Sequence, residues 1–451
     1  MLKFGVQLAI AIFFSHRLSL EEYGDYQFIW MFVNFFSLIS LFGLSNYLLS
    51  TSIAQLLAII KKFKKKIVIV LSLVNIAAIL FVYLSNNNLS GGEKILLVCL
   101  LLLQNISLAI DAIAIKNQEE KRLATATLLY LIIFIAGHMW FYFNQHDFLV
   151  LLIFIIVATI LKAVFLFPKK TAYPAVANYS SETAQQWLYL GLNELFATLV
   201  KWVDKWILIF FLSGAQFAIY FNGSYEIPIF VLAVSAIGNV ALVEFSNKEK
   251  NMRANAIIFY KRIALFMAVW VFPSFWFFQQ FGSEFIAALF GEKYLLSIPI
   301  FLVTIWILPV RIIYNTAVLQ ALGKSQLILK GSIIDLLVAL VLMVIFYQSW
   351  DLKGVALAFV IATYVQVAYY LFHTSRLLKI RIQKLLPFKK LAFVFLISAV
   401  AIHALSYFAS AQSEMFRLIV GIVGTGVLIG VLLIFVRFGR RVRLRQPGTA
   451  A

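Results

Sequence analysis

Cysteine is nearly absent from this sequence: Cys99 stands alone among 451 residues. A disulfide within the chain is excluded, and a lone thiol set in an apolar run has no metal-ligand spacing around it. Charge is scarce too. Charged residues make up 13% of the chain and apolar residues 63%, against roughly 25% and 45–50% in soluble domains. That balance excludes an ordinary soluble protein. Long polar connections are also missing, so no extramembrane domain is expected. No Walker loop, nucleophile elbow or zinc motif occurs. His138 and His403 lack ligand-spaced partners, so neither a resident metal nor an enzyme activity is expected. The apolar start of the chain is not closed by a small-residue cleavage pattern before His16-Arg17, which argues against a secretory signal.

What is present is apolar sequence in near-continuous runs. In hydrocarbon every backbone donor and acceptor must be satisfied within the structure, which leaves helices or closed barrels. Barrel strands alternate apolar and polar positions; these runs do not, so the expectation is an all-α polytopic membrane protein. A window near 19 residues marks fourteen segments: 1–16, 26–49, 67–84, 94–115, 124–143, 148–167, 186–212, 217–245, 257–280, 298–320, 331–348, 354–373, 391–409 and 417–436.

The net charge of +19 suits this picture better than it suits nucleic acid, because cytoplasmic loops of membrane proteins collect Lys and Arg. With both termini placed in the cytoplasm, 29 of the 38 basic residues fall on that side. They include the run Lys61, Lys62, Lys64, Lys65 and Lys66 and the tail Arg437 to Arg445. Only Arg17, Lys94, Lys293, Lys353 and Arg417 fall outside; Lys162, Lys201, Lys205 and Arg311 lie within segments. The lysine run sets topology and offers a contact for anionic membrane lipids.

An internal repeat is visible. Ser19-Leu20-Glu21-Glu22-Tyr23-Gly24-Asp25-Tyr26 leads into the second segment. Ser213-Gly214-Ala215-Gln216-Phe217-Ala218-Ile219-Tyr220 leads into the eighth, at an offset of 194 in the numbering. Each follows the first helix of a six-helix block, so the blocks share orientation, as in transporters that hold substrate between parallel repeats. The expected organisation is an N-lobe over 1–167, a cytoplasmic linker over 168–185, a C-lobe over 186–373, and a peripheral helix pair with a basic tail over 374–451. The offset sets Met1 opposite Leu195, well inside the seventh segment. The native start is therefore expected upstream of Met1, or the first helix begins deep in the membrane.

Charges at membrane depth cost about 2.5–3.5 kcal/mol each on insertion scales, so they usually face a cavity or a partner. The seventh segment carries the densest set. Glu194, Thr198, Lys201 and Lys205 fall within about 60° on one helical face, with Asp204 beside it. Lysines one turn apart repel unless an anion lies between them, so Lys201 and Lys205 are read as contacts for a phosphorylated substrate. The plainer alternative is a Lys201–Asp204 pair with snorkelling toward an interface. The repeat offset sets Gln7 opposite Lys201, as a second wall of a cavity or an interhelical hydrogen bond. Elsewhere Arg311 needs a counter-charge, with Asp335 on the next segment as the structural partner or Asp111 as a gating partner. A phosphate contact is the third possibility. Glu226, two residues before Pro228, is a candidate proton carrier or an ordinary interfacial residue. Trp202 and Trp206 are read as packing side chains rather than sugar platforms.

The segment Leu20-Glu21-Glu22-Tyr23-Gly24-Asp25-Tyr26, with Leu41-Phe42-Gly43-Leu44 closing the helix after it, resembles the opening of polysaccharide flippases. These are the O-antigen (Wzx-type) transporters of the MOP exporter superfamily. Phe290-Gly291-Glu292-Lys293-Tyr294, Gln320-Ala321-Leu322-Gly323-Lys324 and Leu352-Lys353-Gly354-Val355-Ala356-Leu357-Ala358 follow in the order and spacing of that family. The resemblance implies two six-helix lobes around a central cavity in a bacterial inner membrane. It also implies an undecaprenyl-pyrophosphate-linked oligosaccharide as cargo, flipped outward with a proton or sodium ion as the coupling species and no other cofactor. Other polysaccharide-assembly proteins are the implied partners. A multidrug–cation antiporter of the same fold would want an acidic first helix, which is lacking. A lipid II flippase would share the positive cavity. A membrane-embedded polymerase or glycosyltransferase would need a substantial outer loop, which is also lacking.

Overall fold

The computed structural model describes residues 2–44, 53–144, 146–167, 181–246, 252–313, 316–322 and 324–443. Every regular element among them is helical. In order these are α1 (Leu2–Arg17), α2 (Leu20–Leu41), α3 (Ile53–Leu84), α4 (Gly91–Lys116), α5 (Glu120–Phe143), α6 (Phe148–Leu166) and α7 (Ser181–Leu208). There follow α8 (Gly214–Gly223), α9 (Pro228–Ser246), α10 (Met252–Phe290), α11 (Ile298–Thr304), α12 (Ala317–Ala321), α13 (Ser325–Leu378), α14 (Ile382–Leu385), α15 (Phe388–Ala409) and α16 (Glu414–Arg443). Two 3-10 stretches, Glu292–Ser297 and Ile305–Ile312, flank α11. By close contacts the chain divides into two compact units, Met1–Ala218 and Ile219–Ala451. The expected lobes part in the linker ahead of α7; the compact units part after it.

Among the described residues nine helical stretches are long and apolar enough to cross a bilayer, or ten if the bent pair α8 and α9 is one span. One of the nine, α13, is two crossings. A straight helix of 54 residues would be about 81 Å long, against a hydrocarbon core of about 30 Å. The chain instead folds back at Asp351, whose φ of 53° and ψ of −140° break the helix. The Tyr370 ring then lies against Gly331, and its hydroxyl donates to the Ile328 carbonyl at 2.9 Å. The two arms match the expected segments 331–348 and 354–373. The fourteen expected crossings are not all recognisable by length and composition.

Four expectations change. The eighth segment, expected unbroken over 217–245, bends by 50° between α8 and α9. Pro228 is the first residue of α9, and the residue before a proline is pushed out of the helical region. The tenth segment, expected over 298–320, is interrupted after Thr304 by the 3-10 turn holding Pro309, whose ring removes a backbone donor. The connection left between the expected segments 257–280 and 298–320 is helical instead: α10 runs to Phe290 and the 3-10 stretch follows after Gly291. The lysine run 61–66, expected in a loop, lies on α3.

The first unit is built on aromatic packing. Phe14, Phe28, Phe32, Phe134 and Phe141 are fully buried, and α6 packs along α4 and α5 while α2 packs against α3, α4 and α7. Trp206 of α7 sits between Phe35 and Phe81, each at 3.8 Å between ring centres, as a packing residue. Both copies of the repeated motif start a helix in the same way. Ser19 Oγ accepts from the Glu22 amide while the Ser19 amide donates to Glu22 Oε2. Ser213 and Gln216 make the same reciprocal pair, so two otherwise unmet donors are satisfied at each helix start. The two motifs also touch: Gly24 abuts the Gly214 carbonyl so closely that no side chain fits between them. Asp25, buried, accepts from the backbone and side-chain amides of Asn88, both at 3.1 Å.

In the second unit α10 carries α15 and α16 on its flank. Trp276 Nε1 donates to the Phe395 carbonyl at 3.1 Å. Arg417 of α16 pairs with the buried Glu284 at 2.9 Å, and Gly421 lets α16 close onto Phe277 and Phe281. The C-terminal helix pair is therefore an integral layer of this unit.

Candidate functional site

The polar residues at membrane depth gather in three places. The first is α7, which approaches α2 through Trp187, whose indole donates to the Phe42 carbonyl at 3.0 Å. The Thr198 hydroxyl donates to the Glu194 carbonyl one turn back at 2.7 Å. Asp204 and Lys205 are both buried and form an ion pair at 3.0 Å, with side chains 3% and 11% exposed. Lys201 is exposed and lies near the Trp202 ring, 5.6 Å from its centre. The Lys201–Asp204 pair allowed by helical spacing is replaced by Lys205–Asp204. Adjacent helical residues point apart, and the pair forms because the long lysine stem reaches back. The two lysines thus have different fates: one is neutralised in the interior and one is left to its surroundings. Gln7 sits half-buried on α1.

The second place is an unforeseen cluster in the first unit. Lys162 of α6 is buried, at 4% side-chain exposure, and pairs with Asp111 of α4. Lys3 of α1 lies 4.7 Å from the centre of the Tyr130 ring of α5, and Lys162 lies 6.0 Å from the same ring. Lys3, Lys162 and Asp111 are within electrostatic range of one another. Asp111, expected as a gating partner for Arg311, has Lys162 as its ion partner within the first unit. The signal that could have found it was Lys162 itself, a lysine within an apolar segment. Its partner is 51 residues away in sequence, and no local pattern announces that.

The third place is in the second unit, where both broken helices meet. Arg311, in the 3-10 turn after α11, donates to Glu226 Oε1 at 2.7 Å. Glu226 sits in the break between α8 and α9. The two line a small cavity with Tyr225, Phe230, Thr304 and Leu308. The expected Arg311–Asp335 pair is not the hydrogen-bonded one. Asp335 of α13 is buried at 1% exposure with Oδ1 lacking a hydrogen-bond partner, yet it lies within electrostatic range of Arg311. Two interrupted helices bring the Glu226 carboxylate and the Arg311 guanidinium together, with Asp335 of α13 in electrostatic range.

No protein-family model matches the sequence, and no curated protein matches it either. Solved structures do. A lipid II flippase, MurJ, in an inward closed conformation superposes with a TM-score of 0.63 at 18% identity, over 98% of this chain and 100% of that one. An inward-facing multidrug resistance MATE family transporter of the MOP superfamily gives 0.59 at 15% identity, over 84% of this chain and 94% of that one. A MOP superfamily transporter from Pyrococcus furiosus, described by the reverse polarity of its binding pocket, gives 0.56 at 15% identity, over 85% and 92%. At these identities the likeness is one of architecture. The protein is a polytopic all-helical membrane protein with the fold of the MOP transporters.

Proposed function

We propose that the protein is a flippase for an anionic lipid-linked oligosaccharide. It carries an undecaprenyl-diphosphate-linked repeat unit (O-antigen, capsule or exopolysaccharide) from the cytoplasmic to the periplasmic leaflet by ion-coupled alternating access. The carrying observation is the set of lysines borne by helices of the first unit. Lys3, Lys162, Lys201 and Lys205 stand there on α1, α6 and α7. α1 and α6 carry no acid, and the carboxylates that pair with these lysines are Asp111 with Lys162 and Asp204 with Lys205. A cation exporter would want the opposite polarity. A phosphorylated headgroup matches ammonium groups as mobile point charges.

Lys201 is the α7 residue placed to meet cargo, because Lys205 is already held by Asp204. Glu194 and Thr198 extend that helix face, and Gln7 stands on α1. In the second unit the coupling ion is assigned to the Glu226–Arg311–Asp335 group, where a proton on a carboxyl would loosen a pair that joins two helix breaks. The charge distribution along the sequence supports an inner-membrane protein with both termini in the cytoplasm. No enzymatic step belongs to this reading.

Lipid II is the second cargo to weigh, since the MurJ superposition takes in nearly the whole chain, C-terminal pair included. Gene deletion with recovery of lipid-linked intermediates separates the possibilities. A flippase for polysaccharide units predicts single units accumulating on the cytoplasmic leaflet. Accumulated lipid II would give the second cargo, and exported but unextended units would point to a polymerase. Transport lost in Lys201→Gln at normal membrane abundance supports the α7 contact; full activity removes it.

A further inference from the structure

The Lys3–Lys162–Asp111–Tyr130 cluster has an unbalanced charge. Two ammonium groups share one carboxylate: Lys162 takes Asp111 Oδ2, and Lys3 has the Tyr130 ring as its near neighbour instead. Among the described residues no carboxylate forms an ion pair with Lys3. Asp111 Oδ1 is buried without a hydrogen-bond partner, so the carboxylate could hold a second donor and does not. A net positive charge at this depth is costly unless a counter-charge joins it. Asp111 lies five residues from the end of α4 and Lys162 four from the end of α6, so the cluster sits about 6–8 Å inside those helix ends. These are the ends that lead to Lys116, Lys121 and Arg122, the basic side of the unit.

We infer that Lys3 and Lys162 form a diphosphate-binding site near the basic end of the first unit, with Asp111 as the counter-ion that holds Lys162 while the site is empty. Binding is a counter-ion exchange. The two ammonium groups turn to the phosphates when the anion arrives. When it leaves, Lys162 returns to Asp111 and Lys3 to the Tyr130 ring. Tyr130, 2% exposed, presents its ring to both lysines and keeps the Lys3 charge in place by cation–π attraction. The site differs from the α7 group in helix, depth and composition. It deepens the flippase reading and rests on it.

The test uses the full chain in nanodiscs of neutral phosphatidylcholine, with polyprenyl diphosphate, polyprenyl monophosphate and free inorganic pyrophosphate as separate probes. Binding is followed by intrinsic tryptophan fluorescence. Lys3→Gln strands no partner, and the double variant Lys162→Gln/Asp111→Asn removes the buried ion pair as a whole while Lys3 keeps the Tyr130 ring, so both should fold. Each should bind polyprenyl diphosphate about tenfold more weakly or worse, as expected for losing a charge-assisted contact. Asp111→Asn alone should bind it more tightly, because it frees Lys162; a purely structural ion pair would give no gain. Unchanged affinity in both lysine variants overturns the site while the flippase reading stands. Absence of polyprenyl diphosphate binding in the parent protein overturns both. Losses confined to inorganic pyrophosphate would make it a soluble-anion site and refute the lipid assignment.

Discussion

Removing Asp204 offers the sharpest measurement of how dry the interior of α7 is. In Asp204→Ala the Lys205 ammonium, 11% exposed, loses the carboxylate 3.0 Å away. Breaking a buried pair by deleting one partner costs about 3–5 kcal/mol, because the remaining charge is left in a poor solvent. The flexible lysine stem can recover part of that by reaching toward an interface, so the lower end, about 3 kcal/mol, is expected. The double variant Asp204→Ala/Lys205→Met removes both charges at similar volume for the lysine, and such apolar replacements are often neutral. It should regain most of the loss, a recovery of about 2 kcal/mol over the single variant, where independent sites would simply add. The assay is the midpoint of heat-induced aggregation of the purified protein in detergent, read beside membrane abundance in cells. Equal stability of the single and double variants would refute the reasoning, since it would mean that Lys205 is already solvated. Transport retained by the double variant would further show that Lys205 holds α7 together and does not touch cargo.

Three other outcomes follow from the geometry. Glu226→Arg and Arg311→Glu should each abolish transport, and the exchanged pair should restore part of it; no recovery would mean that the 2.7 Å contact is not the functional one. Gly24→Val should sharply reduce folded protein, because its side chain would fall on the Gly214 carbonyl and overpacking costs about 1–3 kcal/mol or more; normal abundance would show that the two motifs part easily. Arg417→Ala should destabilise the protein by leaving Glu284, 6% exposed, without its counter-charge, and Arg417→Ala/Glu284→Gln should be milder; equal thermal midpoints would mean that α16 is held by apolar packing alone.

Much of this architecture was legible in the residues. Apolar runs of membrane length exclude everything but helices once the strand alternation is missing, and the scarcity of charge makes each buried ionisable residue conspicuous. The motifs beginning at Ser19 and Ser213 predicted a common role, and both indeed open a helix with the same reciprocal cap.

Partnership was not legible, because periodicity reports which face a residue lies on and not what stands opposite. Helical spacing allowed Lys201 with Asp204, and the need for a counter-charge offered Asp335 or Asp111 to Arg311; the folded chain pairs Lys205 with Asp204, Arg311 with Glu226, and Lys162 with Asp111. A long side chain can reach several neighbours at similar cost, and the choice among them is made by the desolvation each arrangement leaves behind. The helix breaks at Pro228 and Pro309 belong to both levels. Proline dictates that the backbone must yield there, but only the packing of the second unit decides that Glu226 and Arg311, one from each break, come to face each other.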